Sequence, residues 1–430
     1  MKKTKQILGI LVLVVLLLAC NKDDAPKPVD PDPNVQSDPY PTPENRPPGS
    51  FSLLAVQDNA TDIDVLPEFS WEAATDPDGD EVRYELYVGS SEDAMHSVAT
   101  DLGTTSYSLD DRLLLNSEYY WHVVAKDGKD KETTSSTYTF TTRNPNIPMV
   151  PLTTNANFSS RTGYEIAVFD GKLWLIGGTT GGERLSDVWF SENGIVWTLA
   201  TSDAGFPPRS VHRLLVFDNK LWVIGGVSEM GFLNDVWYTE NGSTWVLATS
   251  NANFEPRRHH AAAVFQDRLW VIGGITKDED EIEITESDVW SSTDGMIWEP
   301  ENLGAPFQPR WLHTATEFQN ALWVVGGYDG GFREDIWSSE DGKTWDKIAT
   351  NTNEPFTERS KHSTVVFANK LWVISGNVQN DAWHSSEGNN WEIHQELTAV
   401  IESAREYTAI VFDNRLWLIN GETKTVWLID

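Results

Sequence analysis

Arginine returns at a fixed place along this 430-residue chain. Arg161, Arg209, Arg257, Arg310 and Arg359 each stand eight residues before a phenylalanine: Phe169, Phe217, Phe265, Phe318 and Phe367. Three residues before each lies Phe158, Phe206, Phe254, Phe307 or Phe356; three after lies Tyr164, His212, His260, His313 or His362. A sixth copy sets Ala404 in the arginine slot, Arg405 one residue late and Tyr407 in the histidine slot. A ring of guanidinium groups around one mouth would attract carboxylates: acidic sugars, uronic acids or acidic peptides. A residue repeated in every copy can equally be scaffold, and an asymmetric ligand needs unique groups. Those are Arg184, Met230, Phe232, Trp311, Tyr328, Phe332 and Arg333. The aromatics of Tyr328-Asp-Gly-Gly-Phe332 could stack on sugar rings, grip a peptide or plug a loop. The ligand-binding candidates are therefore Arg161, Arg184, Arg209, Arg257, Arg310, Trp311, Tyr328, Phe332, Arg333 and Arg359. No catalytic residue, metal ligand or cofactor is assigned.

The elements that must position these residues repeat with them, every 45 to 53 residues, which points to a propeller or solenoid. In the stretch Arg209 to Trp245, Leu214–Phe217 is a β-prone run and Asp218-Asn219 a two-residue hairpin turn. Leu221–Ile224 returns as a strand buried on both faces, and Gly225-Gly226 ends it. Val236–Tyr238 and Thr244–Leu247 follow as third and fourth strands around the turn Glu240-Asn241-Gly242. Four antiparallel strands make one propeller blade. A tryptophan follows each phenylalanine by five residues, at Trp174, Trp222, Trp270, Trp323, Trp372 and Trp417. An Asp-x-Trp unit recurs at Asp187, Asp235, Asp288, Asp335 and Asp381, with Thr425 in the last copy. That copy stops at Asp430 without a fourth strand, while Met149–Arg161 aligns without a gap to Trp245–Arg257. The spacing predicts that residues 147–154 supply the missing strand, with Met149 in the tryptophan slot, because an unpaired sheet edge is a liability.

Gly-Gly after a β-run, a following aromatic and a later tryptophan at this period resemble Kelch repeats. The resemblance covers 147–430 and implies a six-bladed Kelch-type β-propeller, in which the repeated arginines bond backbone carbonyls between blades. The turn Ser338-x-Glu340-x-Gly342-x-Thr344-Trp345 resembles the Asp-box of sialidase propellers, with Glu340 in the aspartate position. Three enzyme analogies bear on the residues. Galactose oxidase-like copper chemistry needs a cysteine joined to a tyrosine, and the sole cysteine is Cys20. Sialidase-like hydrolysis needs an arginine triad, a tyrosine nucleophile and an acid; no such Tyr–Glu pair stands out. A sialic acid epimerase-like reaction on the same fold stays open.

Upstream, Lys2, Lys3 and Lys5 precede an apolar run, Ile7–Leu18, too short to span a bilayer. Leu17-Leu18-Ala19-Cys20 resembles a bacterial lipobox, with residues 1–20 as signal peptide and Cys20 lipidated and held in the bilayer. Asn21-Lys22-Asp23-Asp24 resembles an export signal to the outer-membrane surface. Residues 21–48 are a proline-rich tether. Residues 49–143 alternate short β-runs with turns, the signature of a β-sandwich. Trp71, Tyr119-Tyr120-Trp121 and Tyr138-Thr-Phe140 resemble a fibronectin type III domain. The fold class expected is all-β, a fibronectin type III-like β-sandwich (49–143) followed by a six-bladed propeller (144–430). Asp76-Pro-Asp78-Gly-Asp80 reads as a turn between strands, or as oxygen ligands for calcium.

The formal charge of −33 is wrong for binding phosphate backbones, so nucleic acid is not an expected partner. The densest acidic run, Asp278–Glu281, is a solvated loop, a weak cation site or a partner contact. Together these readings give an outer-membrane, surface-exposed lipoprotein that binds glycan or protein without turning it over.

Overall fold

The computed structural model describes residues 44–350, 357–377, 380–401 and 407–430. Cys20, the other residues before 44, Phe356 and Arg405 lie outside these. Among the described residues no helix is long and apolar enough to cross a membrane.

Residues 53–142 form two facing sheets. One has the order Leu53–Ala55, Glu68–Trp71, Ser106–Ser108. The other runs Ala60–Ile63, Tyr138–Thr142, Glu118–Lys126, Arg83–Gly89, His96–Leu102, with Glu132–Thr134 beside the central strand. Alternate residues of Arg83–Gly89 and Glu118–Lys126 point inward, and Phe69, Trp71, Leu86, Trp121 and Phe140 fill the core.

Among the described residues six larger sheets follow, with a two-stranded ribbon, Thr179–Thr180 and Glu183–Arg184, beside the first. The first is Glu165–Phe169, Lys172–Ile176, Val188–Ser191 and Thr198–Thr201. The second is Arg213–Phe217, Lys220–Ser228, Gly231–Thr239 and Val246–Thr249. The third, fourth and fifth open with Ala261–Phe265, Thr314–Phe318 and Ser363–Phe367. The sixth has three strands, Thr408–Phe412, Arg415–Asn420 and Thr425–Ile429. Opening strands of successive sheets are neighbours, and that of the sixth sheet also neighbours that of the first. Apolar cores fill each junction in turn. Trp417 and Ile419 of the sixth sheet, for example, pack with Leu173, Leu175 and Trp197 of the first. Each such buried side chain contributes about 1.5–3 kcal/mol.

The packing explains the repeated residues. The second-strand tryptophan of one sheet lies beneath the outer hairpin of the next, whose turn carries glycine. A Cβ on Gly242 would fall 1.9 Å from Trp174, on Gly295 2.2 Å from Trp222, and on Gly194 2.3 Å from Trp417. The paired glycines are pinched similarly: a Cβ on Gly226 would fall 2.8 Å from both Ser210 O and His212 Cβ. They do not always end the strand. In the second and third sheets it runs on through them after a register shift.

The outer hairpins of the first four sheets owe their shape to one carboxylate or amide each. In the fourth sheet that group is Asp341, whose Oδ1 accepts from Lys343 N at 2.8 Å and Thr344 N at 2.7 Å. It stands one residue past Glu340, the position singled out in the sequence.

Residues 147–154 contain no assigned strand. Val426 N donates to Thr153 O at 2.9 Å and Leu152 N to Val426 O at 2.8 Å, an isolated bridge beside the sixth sheet's last strand. Met149 is 87% exposed, so it does not occupy a tryptophan position. At the corresponding position Trp197, Trp298 and Trp391 each donate Nε1 to the glycine carbonyl of their own hairpin, a bond for which Met149 has no donor.

Candidate functional site

The five repeated arginines are all 0–1% exposed. Arg209 shows the pattern: Nη1 and Nη2 donate to Asp235 Oδ1 and Oδ2 at 2.8 and 2.7 Å, Nη1 to Gly225 O at 3.0 Å, and Nε to Pro207 O at 3.2 Å. Arg161, Arg257, Arg310 and Arg359 repeat it on Asp187, Asp288, Asp335 and Asp381. Each aspartate also accepts from the tryptophan two residues on, as Asp235 does from Trp237 Nε1 at 2.8 Å. A buried guanidinium must be paired and its donors satisfied, and the Asp-x-Trp unit does both. The arginines therefore stand apart, each on the aspartate of its own sheet. Their guanidinium groups do not meet around one mouth; it is the main chain at these positions that links neighbouring sheets, as Gly226 N donates to Arg257 O at 3.0 Å and Arg209 N to Leu185 O at 3.0 Å.

The histidines behind them are buried too. Burial, then Arg209 and Arg213, hold His212 well below the usual imidazole pKa; burial, then Arg359, holds His362 at about 3.

A backbone collar joins the sheets at the same level. Val211 N donates to Gly163 O, His259 N to Val211 O, Leu312 N to His259 O and Lys361 N to Leu312 O, at 2.7 to 3.3 Å. All five residues have φ between 49° and 63°. No residue type is shared, so nothing in the sequence marks them. Below the collar lies a cavity of about 530 Å³ lined by the opening strands of all six sheets. Four residues before the repeated phenylalanine, its wall carries Glu165, Arg213, Ala261, Thr314, Ser363 and Thr408 in turn. Glu165 and Arg213 form an ion pair across adjacent sheets. Burial raises the Glu165 pKa, opposed by Arg213. The hydroxyl of Tyr164 donates to Ile419 O at 3.0 Å.

The non-repeated residues meet on the rim. The link from each sheet to the next bridges to the loop between second and third strands, as Trp311 does to Tyr328. The Arg258 guanidinium stands 5.2 Å over the Phe232 ring. The next residue, His259, has its ring 5.2 Å from Trp311, which lies 5.5 Å from Tyr328, itself 5.3 Å from Phe332. These contacts lie over the second, third and fourth sheets, the two sets meeting at the adjacent residues Arg258 and His259, and the side chains are half-buried. Met230 beside Phe232 is 94% exposed. Burial, then Arg258, holds His259 near 3, so it is neutral. The surrounding cations already have partners: Arg184 on Glu229, Arg258 on Glu283, Lys277 on Glu281 and Arg333 on Asp329. Phe232, Trp311, Tyr328, Phe332 and Arg333 are thus brought together, whereas Arg184 sits on the neighbouring loop pair with Glu229. Arg258 and His259 escaped the sequence reading because they flank a buried arginine and histidine that mask them.

The KLHDC2/KLHL20/DRC7 Kelch-repeats domain matches residues 122–299, which hold the first two sheets, three strands of the third and the last strands of the sandwich. No curated protein matches the chain. With five copies of the Arg–Asp–Trp unit behind one face of an all-β fold, the chain carries Kelch-type repeats.

Proposed function

We propose that this protein is a non-catalytic recognition module that binds a protein ligand on the rim formed by Phe232, Arg258, His259, Trp311, Tyr328 and Phe332. The observation that carries the reading is the run of aromatic and cationic side chains that belong to no repeat, its two contact sets meeting at Arg258 and His259. Trp, Tyr and Arg dominate the binding energy of protein interfaces. Kelch-type repeats commonly serve protein binding, and the six mutually packed sheets support a six-bladed propeller as the platform. Because the rim cations are already paired, the ligand segment is apolar or aromatic rather than polyanionic. The lipobox-like Leu17–Cys20, the proline-rich segment and the fibronectin type III-like sandwich support presentation of this rim outward from a lipid anchor at the outer-membrane surface.

A peptide-display selection on the purified protein tests the reading. Enriched peptides should lose at least about tenfold in affinity on Trp311→Ala or Tyr328→Ala, as hot-spot truncations do. Selection of peptides indifferent to both changes would refute it. The exposed faces of Trp311 and Tyr328 favour glycan as the second reading, and a glycan array probed with the same variants distinguishes the two.

A further inference from the structure

The loop between Glu68–Trp71 and Arg83–Gly89 meets a residue that the sequence places far away. Arg83 pairs with Lys126 across the antiparallel strands, so the loop before Arg83 lies beside Asp127. Asp76, Asp80 and Asp127 each offer a ligand atom here, all within 4.8 Å of one another. Asp76 is 8% exposed and Asp127 4%. The Oδ1 of Asp76 accepts from Asp78 N at 2.8 Å and Asp80 N at 3.2 Å. Its Oδ2 is buried and has no hydrogen-bond partner, and neither has Oδ2 of Asp80. Lys129 Nζ lies 2.6 Å from Asp80 Oδ1, and the Arg46 guanidinium, held on Asp78, also acts on Asp76. A buried carboxylate oxygen without a partner is costly, and two of them face the same point here. Asp78, between them in sequence, is not part of the cluster; it takes Arg46 Nη2 at 2.7 Å and Arg46 N at 2.7 Å.

We propose that Asp76, Asp80 and Asp127 form a calcium site at the end of the β-sandwich. The donors are all hard oxygens from an irregular loop and a strand end, which suits the flexible, water-completed shell of Ca²⁺ better than the strict octahedron of Mg²⁺. The same loop receives the incoming chain through Arg46 and through Gly49 N, which donates to Thr75 O at 2.9 Å. Calcium here would tie that entry point to the end of Glu118–Lys126.

Calcium added to the chelator-stripped full-length protein tests this by calorimetry and thermal melting. The expected result is one site with Kd on the order of 10⁻⁴–10⁻³ M, as in extracellular modules, weaker for Mg²⁺. Asp76→Asn and Asp127→Asn should each weaken it at least about tenfold, and Asp78→Asn should leave it within about twofold. Stripped of calcium, the first two variants should melt no lower than the stripped parent, since each relieves repulsion among crowded carboxylates. No binding up to ~10 mM, binding indifferent to Asp76→Asn, or binding as tight to Mg²⁺ would overturn the assignment. Lower melting of both stripped variants would make the carboxylates purely structural and overturn it as well.

Discussion

Asn369, in the first hairpin turn of the fifth sheet, donates its side-chain N–H to Ser117 Oγ of the β-sandwich at 2.8 Å. The contact marks where the sandwich packs against the fifth and sixth sheets. In the ring of tryptophan-on-hairpin contacts, Trp372 has no hairpin of the sixth sheet over it among the described residues. Instead Trp372 shares a buried core with Val65 and Leu115 of the sandwich and with Leu397 and Ile401. Asn414 Nδ2 donates to Arg112 O at 2.7 Å, and Arg143 Nη1 to Asp430 O at 2.9 Å.

Leu115→Asp should therefore act on the repeats, not only on its own domain. We expect a loss of about 2–5 kcal/mol, the range for losing a buried aliphatic chain, with faster proteolysis in the fifth and sixth sheets. Limited proteolysis with mass mapping checks it; cleavage confined to residues 49–143 would contradict it.

Gly242→Ala should destabilise by at least about 1–3 kcal/mol, the usual cost of overpacking, because the new methyl meets the Trp174 ring and φ is 74°. Denaturant unfolding gives the number. Trp174→Leu in the same chain should recover part of it, since the two residues share one contact.

Asp288→Asn leaves the guanidinium of Arg257 buried without its counter-charge. Stability should fall by about 3–5 kcal/mol, while peptide affinity at the rim stays unchanged. An affinity loss with intact stability would return the arginines to the ligand site.

The buried histidines predict acid lability. Their folded pKa values are depressed, to about 3 for His362 and well below 6.5 for His212, His260 and His313. Their contribution is complete above the unfolded value near 6.5 and is lost as pH falls towards the folded values. Below pH 6.5 each can cost up to about 1.4 kcal/mol per pH unit. Unfolding free energy measured from pH 7 to 5 should fall steeply, and His260→Asn should reduce the proton uptake by about one. A flat profile would contradict this.

The repeat was plain in the sequence because packing uses residue type: only tryptophan fills the space under a hairpin, and only glycine lets the hairpin come down on it. The Arg–Asp partnership was harder to see. Both members stood in register, but the separation varies from 22 residues for Arg359 and Asp381 to 31 for Arg257 and Asp288, since loop lengths differ. The collar was invisible, being a backbone pattern shared by Gly163, Val211, His259, Leu312 and Lys361. Asp127 could not be joined to Asp76 without the strand register. Met149 misled because alignment preserves position, not the Nε1 donor that a tryptophan brings to its hairpin.

Photo-crosslinking tests recognition through the rim most directly. A benzophenone side chain replacing Phe332 should yield a polypeptide adduct in the native setting, and one replacing Asn219, in a turn at the opposite ends of the strands, should not. Absence of any adduct at Phe332, or equal adducts at both positions, would contradict protein binding by the ridge from Phe232 to Phe332.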